Sequence, residues 1–477
     1  MGATKRFEGL SLRWVIIAGV VVRLAFFLLP ALDFVPSILE RRPELSTPTT
    51  SFMAVKEALY LQKSYKLSNQ TLPQPYQSGN LYLPPIILRY LEPILSRTGN
   101  TAKSFHITTA IIWSFSDAIT ALLFANIYRK KQKYLKRIHA SPDQAQLDTS
   151  ILAGSVLSSA GGVAAFFLFN PFSIATCLAR STTTLNNLAL ALAISSALSA
   201  SLLMVSLGIV SAILISLYPI LLVPAITILY SMSATSNTTR NRSGKQIWSI
   251  GHAIICLFFI AATLSIHAYV SYEVSGKDWT FIDRAYGTIL FVPDLSPNIG
   301  LWWYFFIEIF DHFRDFFLLA FNVHVASYAI PLTIKYRQDP LFAITALTGL
   351  IAVLKSYPTL GDSSIFLSLL MLHREISPYL RHTLFTTLLY TLATLMMPAL
   401  HHLWLQAGSG NANFFYASTL VWALAGGSSV LDAMWAWGRW KWETERKQDI
   451  SGNRDRIATQ IGKNKEDFIL HRRVIQA

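Results

Sequence analysis

Charge is scarce in this sequence: Asp, Glu, Lys and Arg make up only 14% of its 477 residues, against about a quarter in an ordinary soluble domain. So little charge cannot solvate the surface of two or three globular domains, and with 52% apolar residues and a mean hydropathy of +0.41 the chain's main solvent is lipid. Cysteine is nearly absent too. Of the two present, Cys177 and Cys256, the second lies inside an apolar stretch, which excludes a disulfide framework. Cys177 lacks the local sequence of a thiol nucleophile and reads as a buried bystander. No GxGxxG followed by an acid, Walker loop, HExxH, CxxC pair or serine elbow stands in a context that licenses it. No resident metal or cofactor is therefore expected.

What the chain does have is a series of apolar stretches near the twenty residues that a helix needs to cross about 30 Å of hydrocarbon. They include 14–29, 107–127, 151–169, 188–207 and 247–269, too many for one signal peptide or anchor. The formal net charge is +14, but the cations sit in clusters between these stretches: Arg129 to Arg137, Arg240 to Lys245, and the tail from Arg439 to Arg473. That is the pattern of cytosolic loops rather than of a nucleic-acid-binding face.

With both termini cytosolic, about twelve spans satisfy every cluster. They fall near 14–29, 105–127, 150–169, 185–203, a pair over 204–231 broken at Tyr218-Pro219, 247–270, a helix after residue 313 running to about 334, 340–354, 363–377, 380–404 and 413–437. The expected fold is all-α, a polytopic transmembrane domain over 1–438 followed by a basic cytosolic tail over 439–477. Two long lumenal loops are expected, near 32–104 and 271–301. Residues 81–95 begin Leu-Tyr-Leu-Pro-Pro and contain Arg89 and Glu92, so they read as an interfacial amphipathic helix; a true span there would invert the charge pattern downstream. Residues 302–313 read as a second such helix. Asn69-Gln70-Thr71 is a sequon on the lumenal side, making Asn69 a glycosylation candidate.

Polar groups at membrane depth are costly and are weighed first as functional. Asp117 has no cation near it in sequence, which favours a polar contact between helices over a proton carrier. Glu308, Asp311, His312 and Asp315 fall at helical spacing on one face, a spacing that suits a divalent cation, but the aromatics around them favour an interfacial helix.

The order of parts resembles the multi-spanning glycosyltransferases that use dolichol-linked sugars, the GT-C class. One span precedes a long loop, then Pro75-Tyr76 and Tyr82-Leu83-Pro84-Pro85 lead into the next. Those transferases carry a paired acid in that loop, whereas 42–52 has only Glu44. The chain more closely resembles the PIG-U family, a polytopic subunit of the GPI transamidase complex. The segments that carry this are Glu44-Leu-Ser-Thr-Pro-Thr-Thr-Ser51; Asn170-Pro-Phe-Ser-Ile-Ala-Thr-Cys-Leu-Ala-Arg-Ser181 running on to Asn186-Asn187; Phe291-Val-Pro-Asp-Leu-Ser-Pro-Asn-Ile-Gly-Leu301; Ser356-Tyr-Pro-Thr-Leu-Gly-Asp362; and Ala407-Gly-Ser-Gly-Asn-Ala-Asn-Phe-Phe-Tyr416.

The resemblance implies a non-catalytic subunit in the endoplasmic reticulum membrane that recognises GPI and scaffolds the other subunits, the cysteine protease-like catalytic one among them. It implies no catalytic residue, metal or cofactor here, and bound GPI or phospholipid. Candidate contacts are Asn411 and Asn413 with Phe414, Phe415 and Tyr416 at an acyl entrance, with capping of the last helix as the less favoured role for the asparagines. Arg180, Ser181, Asn186 and Asn187 form a second set, and Asp294, Asn298 and Asp362 a third. The alternative is an active mannosyltransferase with Glu44 or Asp33 as base. A transporter would show paired inverted repeats, and the break at Tyr218-Pro219 has no matching partner.

Overall fold

Where no water reaches the backbone, each N–H and C=O must bond within its own segment, so apolar chain becomes helix. The computed structural model describes residues 11–29, 31–32, 34–67, 76, 80–96, 102–138, 159–238 and 248–474, and every element among them is helical. Asp33, Asn69 and Pro75 lie outside the described residues. Helices long and apolar enough to cross a membrane run over Ser104–Gln132, Tyr218–Thr235, Ile250–Val274, Asp311–Lys335, Thr383–Leu405 and Ala412–Arg446. The pair Ala160–Leu168 and Pro171–Leu178, bent by 53°, adds a seventh if it counts as one span. Leu202–Ile215, Pro340–Leu354 and Leu360–Leu370 are apolar but shorter.

Several expected boundaries move. The basic block after residue 129 is no loop: the helix runs from Ala102 to Ile138, as long Lys and Arg side chains allow. Asn170-Pro171 does not open a polar loop but starts the helix Pro171–Leu178. The Asn170 side chain accepts from Phe172 N at 3.0 Å, and proline sits where its missing N–H costs nothing. The loop expected over 271–301 contains helical turns from Thr280 to Phe291, and the first loop carries the helices Phe34–Leu39, Phe52–Leu67 and Pro85–Ser96. The last of these buries Ile86, Leu88 and Leu91 and exposes Arg89 and Tyr90, the two-sided pattern its sequence predicts. Helix Trp302–Glu308 ends at Ile309 and Phe310, both extended, so Glu308 does not share a helical face with Asp311, His312 and Asp315. The last helix continues without a break from Ala412 to Val474, so no loop separates the tail from the membrane part.

Arg23 corrects the reading of Asp117. Its guanidinium donates from Nε to Asp117 Oδ2 at 2.8 Å, to Leu168 O at 2.9 Å and to Ser173 Oγ at 3.0 Å, and the side chain is fully buried. One cation thus ties Leu12–Leu28 to Ala102–Ile138 and to the bent pair. Close helix approach does the rest: a Cβ on Gly208 would lie 2.7 Å from the Ala193 backbone nitrogen, so only glycine lets Leu202–Ile215 press on Thr183–Ala197.

Candidate functional site

Four of the sequence-marked segments, far apart in the chain, meet at the break between helices Pro340–Leu354 and Leu360–Leu370. The first helix ends at Leu354 with Lys355 extended, Pro358 keeps the residue before it out of the helical region, and Thr359 with Asp362 forms a capping box that starts the second. Around this break Leu360 N donates to Glu44 O at 3.0 Å, Thr182 N to Thr50 O at 3.1 Å, and Asn187 Nδ2 to Gly361 O at 3.1 Å. The Thr183 and Thr359 hydroxyls lie 3.2 Å apart, and Tyr357 donates to Asp294 O at 2.6 Å. Gly361 is required here, because a Cβ would sit 2.8 Å from both Thr176 and Thr183 methyls.

The fifth segment joins through aromatic rings. Helix Trp302–Glu308 follows directly on the third segment, and Tyr416 donates to Leu301 O at 3.1 Å. Trp303 packs on Phe415 and Tyr416 with centroids at 6.0 and 5.9 Å, Tyr304 on Tyr416 at 4.7 Å, and His401 on Phe415 at 5.3 Å. Within this cluster Trp303 Nε1 and His401 Nδ1 are buried without a hydrogen-bond partner among the described residues. A built site with orphaned polar atoms suits a ligand that brings both apolar surface and hydroxyl or phosphate groups.

The candidate residues divide by placement. Asn411 caps the last helix, accepting from Phe414 N at 3.3 Å, which leaves its Nδ2 hydrogens outward; Asn413 Oδ1 accepts from the Tyr304 hydroxyl, with its own amide exposed. Phe414 is 54% exposed while Phe415 is fully buried, so only the former offers surface to a lipid. Arg180 is turned inward at φ +50°, its guanidinium committed to Glu40, Thr109 and the His106 ring. The Ser181 carbonyl accepts from Trp113 Nε1 at 3.0 Å and its hydroxyl donates to Thr183, so Arg180 and Ser181 position the site. Asp294 and Asn298 turn their own loop: Asp294 accepts from Ser296 N, and Asn298 Oδ1 accepts from Gly300 N at 2.7 Å. Asn186 and Asp362 line a buried cavity, where Asp362 pairs with Lys355 at 2.7 Å.

Sequence reasoning missed Lys355, a single cation ahead of the Ser356 motif, and Arg42, whose guanidinium grips both oxygens of Glu44 at 3.0 and 2.7 Å. Both cysteines are buried and unpaired. Asp339, His373 and Glu375 bring potential metal-ligand atoms within 4.8 Å of one another. The Lys131 ammonium already stands among them, 2.6 Å from His373 Nδ1 and 2.5 Å from Glu375 Oε1, and supplies the positive charge itself.

A family model described as the GPI transamidase subunit PIG-U matches residues 17–422. The chain is 31% identical over 416 residues to the GPI-anchor transamidase component PIGU of Homo sapiens, covering 85% of this chain and 89% of that one. It is 32% identical over 401 residues to the GPI transamidase component GAB1 of Saccharomyces cerevisiae, covering 83% and 88%. A GAB1 homolog from Schizosaccharomyces pombe is 29% identical over 400 residues, covering 84% and 87%. The match takes in the Arg23–Asp117 pair, the helix break at 355–359 and the aromatic cluster alike, and the chain belongs to the PIG-U family of GPI transamidase subunits.

Proposed function

We propose that this chain is the GPI-recognising, non-catalytic subunit of a GPI transamidase complex in the endoplasmic reticulum membrane. The catalytic cysteine protease-like subunit is then a different chain, and this one scaffolds it with the other membrane subunits. The observation that carries the reading is the aromatic platform at the start of the last helix. Outward amides of Asn411 and Asn413 stand beside an exposed Phe414 and a stacked Tyr304–Tyr416 pair. Amide hydrogens suit phosphate oxygens and glycan hydroxyls, and the rings suit acyl chains near an interface. Paired short helices complete the spans to about twelve in a GT-C-like arrangement, with both termini and the tail after residue 438 cytosolic. Arg42 engages both oxygens of Glu44, one of the two carboxylates, with Asp33, that an active mannosyltransferase would use as base, which speaks against that choice of base.

Replacing Asn411 and Asn413 together by alanine is expected to lower GPI attachment about tenfold, the worth of one to two lost polar contacts, with the complex still assembled. The readout is surface display of a GPI-anchored reporter in cells that depend on the variant, beside co-purification of the complex. Unchanged display, or a complex that no longer assembles, would overturn the contact role.

A further inference from the structure

A second polar site lies inside the bundle, where the break at 355–359, helix Thr183–Ala197 and the Tyr218–Leu222 turn come together. Its cavity is walled by Asn186, Ser216, Tyr218, Thr348, Lys355 and Asp362, and it adjoins a smaller void beneath Thr49, Thr50 and Thr183. None of residues 411–416 lines either space.

Two side chains here are more than nine-tenths buried and under-used. Lys355 is 4% exposed, and its ammonium, with three donors, has Asp362 Oδ2 as its one partner among the described residues. Asn186 is 7% exposed, and its Oδ1 has no hydrogen-bond partner among the described residues. Helix ends account for the ion pair: Lys355 stands at the C-terminus of Pro340–Leu354 and Asp362 in the first turn of Leu360–Leu370. They do not account for a bare acceptor on Asn186, since a buried carbonyl oxygen left unpaired costs free energy.

The chemistry selects one class of group. Lys355 and Asp362 cancel in charge, so neither an anion nor a cation is favoured. A phosphate oxygen, which only accepts, would face the Asn186 oxygen, and an ammonium, which only donates, would face Lys355. A hydroxyl accepts from the one and donates to the other. The space admits little more than one water-sized group, so a single hydroxyl enters rather than a whole ring. We propose that this cavity is a hydroxyl-reading subsite, taking one hydroxyl of a neutral polyol headgroup, a saccharide or an inositol ring, between Lys355 and Asn186. The inference rests on the glycolipid reading above and places a second contact for that ligand away from the aromatic platform.

The test uses the full complex in lipid nanodiscs, offered a synthetic glucosaminyl-inositol phospholipid and its O-methylated counterpart, with retained lipid counted by native mass spectrometry. The wild type is expected to retain the free-hydroxyl lipid about tenfold better. Asn186→Ala, which removes the acceptor without adding bulk, is expected to lose that preference. Equal retention of both lipids by the wild type, or an undiminished preference in Asn186→Ala, overturns the subsite, leaving a cavity that holds an ordered water only. Retention of neither lipid by the wild type overturns the glycolipid reading itself. Should Asn186→Ala fail to assemble, Asn186→Ser, which keeps a polar side chain but withdraws the acceptor, is read against the same two outcomes, because the wild-type comparison alone also reports the Asn411 and Asn413 contacts.

Discussion

Replacing Arg23 by methionine is expected to destabilise the protein by about 3–5 kcal/mol, the cost of stranding a buried charge by removing its partner. The site has no slack to absorb the loss. Asp117 is 2% exposed, its Oδ2 is held by Arg23 Nε at 2.8 Å, and Ser173 adds only a long hydrogen bond to that oxygen at 3.4 Å. Arg23 also satisfies the Leu168 carbonyl at the point where the helix Ala160–Leu168 gives out. Several helices would therefore lose their common anchor at once. The measurement is the thermal midpoint of the purified complex with its monodisperse fraction in detergent. Arg23→Met with Asp117→Leu should recover most of the loss, because apolar pairs replace buried ion pairs at little net cost. A single variant as stable as wild type would refute the anchoring role.

A comparable loss is expected from Lys131→Met at the far end of the Ala102–Ile138 helix. Burial alone would raise the Glu375 carboxyl, but the Lys131 ammonium and His373 outweigh it and hold the group at about 2, below the ordinary 4.5. A carboxyl held down in the folded state stabilises the fold at pH values above its unfolded value, and that contribution fades as pH falls from about 4.5 toward 2. At neutral pH it amounts to about 3 kcal/mol. Wild type should accordingly lose stability steeply across that acid window, while Lys131→Met should start lower and show a flatter acid limb. Thermal midpoints recorded from pH 7 down to pH 3 check this, and parallel curves for the two proteins would contradict it.

Much of the helical plan was legible because apolar runs near twenty residues have few other solutions in lipid, and the break at Tyr218-Pro219 followed from proline's missing N–H. The structure departs from the sequence reading where charge or proline stands at an expected helix end. Residues 129–138 and the tail after 439 continue as helix because Lys, Arg, Glu and Gln are good helix formers, and Asn170-Pro171 turned out to start a helix. The segments around the 355–359 break were visible one by one, yet their meeting depends on contacts such as Leu360 N to Glu44 O and Thr182 N to Thr50 O, which no local spacing encodes. Arg23 was overlooked inside an apolar run, and its partner lies 94 residues away. A lone cation at membrane depth was itself the signal that a buried acid had to exist elsewhere.

Affinity purification of the full chain from membranes in mild detergent, with mass spectrometry of the proteins and lipids that accompany it, tests the account most directly. The account predicts recovery of a cysteine protease-like chain with further membrane subunits and bound GPI. A lone chain carrying a dolichol-linked sugar would contradict it.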